Sequence, residues 1–142
     1  MIDNILITNL KKIEVKEGNV LHFMKASEDG FSQFGEAYFS KIKYKKIKGW
    51  KRHKKMTLNL AVPIGSIKFV FAKKKYNNYE FNTVILSEDN YKRITVPPLV
   101  WMGFQGLGEE ESLLLNIANI EHDPDEAEKL DLEDIPYLWN KN

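Results

Sequence analysis

The sequence predicts an all-β fold, an antiparallel sandwich or barrel, from three observations. Short apolar runs recur at a spacing of roughly ten residues, several of them alternate with polar side chains at period two, and clusters of Gly, Pro, Asn and Asp fall between them. A doubly wound α/β sheet would place long helical patterns between its strands, and the sequence has none.

In chain order, the first candidate strand is Ile5 to Leu10. In Glu36 to Tyr44, Tyr38, Ile42 and Tyr44 share one parity while Lys41 and Lys43 take the other, the pattern of a strand buried on one face. Leu58 to Val62 runs into Pro63-Ile64-Gly65-Ser66, a turn signal, and Ile67, Phe69 and Phe71 then come in phase, so a hairpin is expected. Phe81 to Leu86, Arg93 to Val96, Val100 to Phe104 and Leu113 to Ile120 complete the strands, with Ser87-Glu88-Asp89-Asn90, Pro97-Pro98 and Gly106-Leu107-Gly108 between them. One short exposed helix is expected at Asp123 to Leu130. Asp123 suits its N-cap, Pro124 its first position, and acids occupy its first turn.

The 142 residues, 43% hydrophobic and 29% charged, match one compact domain spanning residues 1–142, undivided by repeats, linkers or low-complexity stretches. The absence of cysteine removes disulfides, thiolate zinc sites and cysteine nucleophiles, and favours a reducing compartment. Met1-Ile2-Asp3-Asn4 lacks the basic region of a secretory signal, and no stretch approaches the ~18 apolar residues of a spanning helix, so a cytoplasmic location is expected.

The formal net charge of +1 is a cancellation. Lys41 to Lys55 holds nine basic residues and no acid, and Lys73-Lys74-Lys75 follows. Glu109-Glu110-Glu111 and the stretch Glu121 to Asp134 hold eleven acids, with Lys129 the one lysine or arginine among them. The central segment must carry a positive field, and the acidic one is expected at the surface.

Only three histidines are present, His22, His53 and His122, and a jelly-roll metal site would need two or three histidines and a carboxylate converging on one ion. Where an H-x-H pair would need its second ligand, Lys51 stands two residues before His53, so no metal is expected. His53 is a candidate general base, and so is Lys51, which shares its face in an extended segment. Arg52 suits a phosphate fork, the neighbouring lysines supply point charges, and Trp50, Tyr44 and Trp101 offer faces for a base to stack on. Single-stranded nucleic acid uses the same residue types, but the net charge and the acidic segment argue against it. His122-Asp123 makes no dyad, since adjacent strand residues face opposite ways, and Gly106-Leu107-Gly108 leads into glutamates, not into a helix start that could hold phosphate.

Five segments in order, Phe34-Gly35-Glu36-Ala37-Tyr38-Phe39-Ser40, Ile47 to Lys55, Val62 to Ile67, Val96-Pro97-Pro98 to Phe104, and Asp134-Ile135-Pro136-Tyr137-Leu138-Trp139, resemble the dTDP-4-dehydrorhamnose 3,5-epimerase family and its shorter relatives. The resemblance implies a metal-free cupin jelly roll (a double-stranded β-helix), typically a homodimer, acting on nucleotide-linked 4-keto sugars in bacterial surface-polysaccharide synthesis. It implies that Lys48 meets the family's substrate-binding arginine and Lys51 its catalytic histidine, with His53 at the second histidine of the related 3,4-ketoisomerase cupins. The family's tyrosine acid meets Ile120 and Glu121, the histidine before Gly103 is Met102, and the C-terminal aspartate that orients the catalytic histidine has no evident equivalent.

The expected site has His53 or Lys51 as base and substrate contacts from Lys48, Arg52, Lys55, Lys68, Glu36, Tyr38 and Trp101. Lys48, Lys55 or Lys68 would stabilise the enolate, and Tyr38, Tyr137 or a water would return the proton. The expected function is a nucleotide-sugar epimerase or isomerase acting on a 4-keto hexose. The alternatives are a carbohydrate- or nucleotide-sugar-binding cupin without catalysis and a 3,4-ketoisomerase. The expected partner is a nucleotide sugar bound by a homodimer, with no cofactor, nucleic acid or membrane.

Overall fold

A computed structural model of the chain describes residues 2–140 and shows twelve strands and, among those residues, no α-helix. The strands are β1 (Leu6–Asn9), β2 (Lys12–Ile13), β3 (Val20–Leu21), β4 (Glu36–Ile42), β5 (Ile47–His53), β6 (Leu58–Ile64), β7 (Ser66–Lys75), β8 (Asn78–Ser87), β9 (Lys92–Val96), β10 (Trp101–Gly106), β11 (Ser112–Ala118) and β12 (Ala127–Lys129). Sheet I has the order β1-β9-β6-β11-β4, sheet II the order β12-β5-β10-β7-β8, and β2 pairs with β3. All these strand pairs are antiparallel. The two sheets face each other as a cupin jelly roll, and no helix among the described residues is long and apolar enough to cross a membrane.

Strand alternation sorts the side chains. Ile67, Phe69 and Phe71 of β7 pack in one buried cluster with Leu58, Leu60 and Val62 of β6, Ile94 and Val96 of β9 and Leu114 of β11. Each such side chain contributes roughly 1.5–3 kcal/mol relative to exposure. The opposite face of sheet II is covered too. Trp50, Val70, Ala72 and Trp101 pack with Ile135, Tyr137 and Trp139 of the C-terminal segment, and the Trp50 and Trp139 rings lie 5.5 Å apart. Leu130 and Leu132 pack against the same cluster, so part of the acidic segment expected at the surface is a structural wall.

Two further expectations change. The helix expected at Asp123 to Leu130 is a single 3-10 turn, Pro124–Glu126, in which Asp123 Oδ1 accepts the Asp125 N–H at 3.0 Å. Ala127–Lys129 then leaves as β12 and pairs with β5. The segment has a helical start signal but no apolar stripe at helical spacing to hold a helix against the core.

Pro63 to Ser66 is also not a hairpin turn. β6 stays in sheet I and β7 enters sheet II, so the turn is a corner between sheets, and the paired hairpin is β7 with β8. Gly65 sits at that corner with φ +85°, and a Cβ there would lie 2.2 Å from Ser112 Oγ. Gly65→Ala is expected to cost about 2 kcal/mol or more, seen as a fall of several degrees in Tm. An unchanged Tm would contradict this reading of the corner.

Candidate active site

The direction of the side chains on β5 depends on one irregularity. Met102 of β10 lies opposite Lys51 and Phe104 opposite Lys48, so a step of two residues on β10 matches a step of three on β5. The extra residue is a β-bulge at Gly49-Trp50. Simple alternation would put Lys48 and Lys51 on opposite faces. The bulge brings both, with His53, to the inner side, while Trp50 turns to the C-terminal segment and donates from Nε1 to the Leu132 carbonyl at 3.1 Å.

On the other edge of β5, β12 sets Ala127 beside His53, Glu128 beside Arg52 and Lys129 beside Lys51. Lys129 thus joins the inner face. Arg52 points away, pairs with Glu128 at 2.9 Å and lies 4.8 Å from the centre of the Trp101 ring.

The inner face opens on a cavity of about 640 Å³ between the sheets, a size suited to a small organic ligand. Lys48, Lys51 and His53 line it from β5 and Met102 and Phe104 from β10. Tyr38 and Ser40 of β4, with Leu114 and Asn116 of β11, form the facing wall, and Lys129 to Asp131 and Asp134 close one side.

His53 is 9% exposed, and its Nδ1 is bound to Glu126 Oε1. Glu126 Oε2 accepts the backbone N–H groups of Lys55 and Met56, both at 3.0 Å. Burial pushes the Glu126 carboxyl up, but the His53 hydrogen bond and the two backbone donors outweigh it and lower its pKa to about 2. An ionised carboxylate on Nδ1 fixes that nitrogen as the proton donor of the pair, leaving Nε2 to take a proton. On the facing wall, partial burial, helped by the charge of Glu36, raises the pKa of the Tyr38 hydroxyl and keeps it protonated.

Of the residues expected from sequence, His53, Lys51, Lys48 and Tyr38 line the cavity. Arg52 and Trp101 lie on the other face of sheet II, as does Lys68, whose Nζ sits 5.0 Å from the Tyr137 ring centre and 6.0 Å from that of Trp139. Lys55 is exposed and contributes its backbone N–H to Glu126. Glu36 stands beyond the lining, close enough to Tyr38 to act on its hydroxyl. Tyr137 packs between Phe81 and Trp139, tilted to the first ring and edge-on to the second, outside the cavity, which leaves Tyr38 as the tyrosine facing it.

The sequence reading missed Glu126, Lys129, Asp131, Asp134, Ser40 and Asn116. Glu126 was hidden because its place after Asp123-Pro124-Asp125 reads as a first-turn helical acid. The signal that could have found it was the C-terminal carboxylate that the resemblance places behind a histidine: Glu126 stands behind His53 Nδ1. Among the described residues, no group of three or more His, Cys, Asp or Glu side chains could hold a metal ion.

Facing antiparallel sheets around a cavity with a buried His–carboxylate pair in its wall define a cupin jelly roll. The chain is 35% identical to a dTDP sugar isomerase from Desulfovibrio desulfuricans G20, with a TM-score of 0.90, covering 96% of this chain and 91% of that one. It therefore belongs to the dTDP-sugar isomerase family. The 3,4-ketoisomerase QdtA from Thermoanaerobacterium thermosaccharolyticum, solved in complex with TDP-4-keto-6-deoxyglucose, shares the fold at a TM-score of 0.76 and 23% identity, covering 92% of this chain and 90% of that one. The spore coat polysaccharide biosynthesis protein SpsL of Bacillus subtilis (strain 168) is 24% identical over 147 residues, 99% of this chain and 97% of that protein. No protein-family model matches the chain.

Proposed function

We propose that the protein is an isomerase of nucleoside-diphosphate-linked 4-keto hexoses, with a dTDP sugar as substrate and surface-polysaccharide synthesis as its setting. The observation that carries this reading is the buried His53–Glu126 pair in the wall of the cavity. A hydrogen on the carbon next to a ketone is acidic because the electron pair left behind moves onto the carbonyl oxygen as an enolate. His53 Nε2 takes that proton and Glu126 stabilises the imidazolium that forms. Lys48, Lys51 and Lys129 supply positive charge for the enolate oxygen and the diphosphate. Tyr38, protonated on the facing wall, returns a proton to the carbon from the other side, which inverts it.

The dTDP sugar named for the Desulfovibrio relative and the polysaccharide pathway named for SpsL support the substrate class and the setting. A second reading, 3,4-ketoisomerisation, is favoured by the base being His53, the position that the resemblance assigns to the second histidine of those cupins. In that reaction the proton removed from C3 is returned to C4 and a hydroxyl proton passes between the two oxygens, with no net redox change.

Incubation with dTDP-4-keto-6-deoxyglucose and NMR of the product separates the readings. An inverted C3 or C5 with the ketone still at C4 is the expected result, and a ketone at C3 marks the second reading. No change in this sugar or its GDP- and CDP-linked counterparts would leave a binding protein and defeat both. The homodimer implied by the resemblance belongs to the same proposal and is read by sedimentation.

A further inference from the structure

We propose that Asn116 recognises an oxygen of the bound sugar, its carbonyl or a neighbouring hydroxyl, from the cavity wall formed by sheet I. This inference deepens the function proposed above and rests on it. β11 lies inside sheet I, bonded to β6 on one side and β4 on the other, so Asn116 is carried by a rigid element. Its inward-facing neighbours along the strand are Leu114 and Ala118, and Leu58 and Val96 add apolar surface to the same cavity.

An amide is an unfavourable choice at such a position unless something pairs with it. Asn116 is 3% exposed, and its Nδ2 is buried with no hydrogen-bond partner. Buried side-chain amides are paired in most structures, because an unpaired donor has given up water without replacement. Among the described residues, the other side-chain atoms in this condition belong to Arg52, Arg93 and Trp139, none of which lines the cavity. The orphan donor therefore coincides with the place a ligand would occupy. Hydroxyl and carbonyl oxygens both accept from an amide, and a hexose carries them on nearly every ring carbon, whereas an apolar ligand would leave Asn116 unpaired. Tyr38 lies directly across from Asn116 on β4, so the two present adjacent polar groups to one sugar.

The test uses Asn116→Leu, which resembles the amide in shape and cannot donate, with Asn116→Ala as a second variant if leucine crowds the wall. Calorimetric titration gives the Kd of dTDP. Steady-state kinetics gives kcat/KM for dTDP-4-keto-6-deoxyglucose, replaced by the Kd of that sugar nucleotide if it binds without turnover. The expected result is a loss of about tenfold or more in the sugar-dependent value, with dTDP affinity within about twofold of wild type and Tm unchanged or raised. Sugar-dependent values that stay at wild type in both variants overturn the assignment of Asn116 and leave the proposed function standing. An equal loss of dTDP affinity also overturns it, since that marks a collapsed cavity. A wild-type protein that binds neither dTDP nor the sugar nucleotide defeats the proposed function, and this inference falls with it.

Discussion

His53→Asn is expected to lower turnover of a 4-keto sugar nucleotide by about 10²- to 10⁴-fold, the range that a positioned general base contributes. Asparagine keeps a donor within reach of Glu126, so the carboxylate is not left as a bare buried charge, and the fold is expected to survive. The amide has no nitrogen able to take a proton at neutral pH, so proton abstraction is lost while the lysines that line the cavity, proposed above to hold the diphosphate, remain. The affinity for dTDP should accordingly stay within a few-fold of wild type. Turnover that persists near the wild-type rate would move the base elsewhere, with Lys51 the first candidate because it lines the same cavity.

Glu126→Gln is expected to have the largest effect on stability and its pH dependence. The Glu126 carboxyl stands at about 2 in the folded protein against an ordinary value of 4.5. Its ionised form is therefore favoured by folding, so the stabilisation is fully present above about pH 4.5 and is lost as the pH falls towards 2. The contribution at neutral pH is on the order of 3 to 4 kcal/mol, because each tenfold change in the protonation equilibrium corresponds to roughly 1.4 kcal/mol. Glutamine keeps one acceptor oxygen but turns an NH2 group toward the donors, His53 Nδ1 or the N–H groups of Lys55 and Met56. Urea denaturation at pH 7 and pH 3 should show the variant well below wild type at pH 7 and the gap narrowing at pH 3. A constant gap would mean that the carboxylate charge is not what stabilises the site. Because Glu126 acts through His53, the variant should also lose kcat while the KM for the sugar nucleotide changes little.

Most strands were legible because alternation is a local property and survives folding, as Ile67, Phe69 and Phe71 show. The same alternation already placed Lys68 on the opposite face from those core residues, so its exclusion from the cavity could have been read from the sequence. The corner at Gly65 was not legible as such. A turn signal reports that the chain reverses, not whether its two arms pair, and here they enter different sheets. The helix at Asp123 to Leu130 failed for a related reason. Its start signals are real, since Asp123 does cap a turn, but pairing with β5 takes the chain away after one turn.

Within the site, His53 and Lys51 were legible as neighbours on one face. Lys48 reaches that face only through the bulge at Gly49-Trp50, which no residue pattern announces. Glu126 and Asn116 were beyond local reading altogether, because their significance lies in what they meet across the fold: an imidazole 73 residues away in sequence, and a cavity that offers one amide no partner.

The most direct measurement of the central claim, that this cavity removes a proton from the carbon beside a sugar ketone, is deuterium wash-in. Wild-type protein is incubated with dTDP-4-keto-6-deoxyglucose in D2O and the C3 and C5 proton signals are followed by NMR. The account predicts loss of at least one of them, dependent on enzyme concentration and abolished in His53→Asn. Undiminished C3 and C5 signals with wild-type protein, under conditions where dTDP binds, would contradict it.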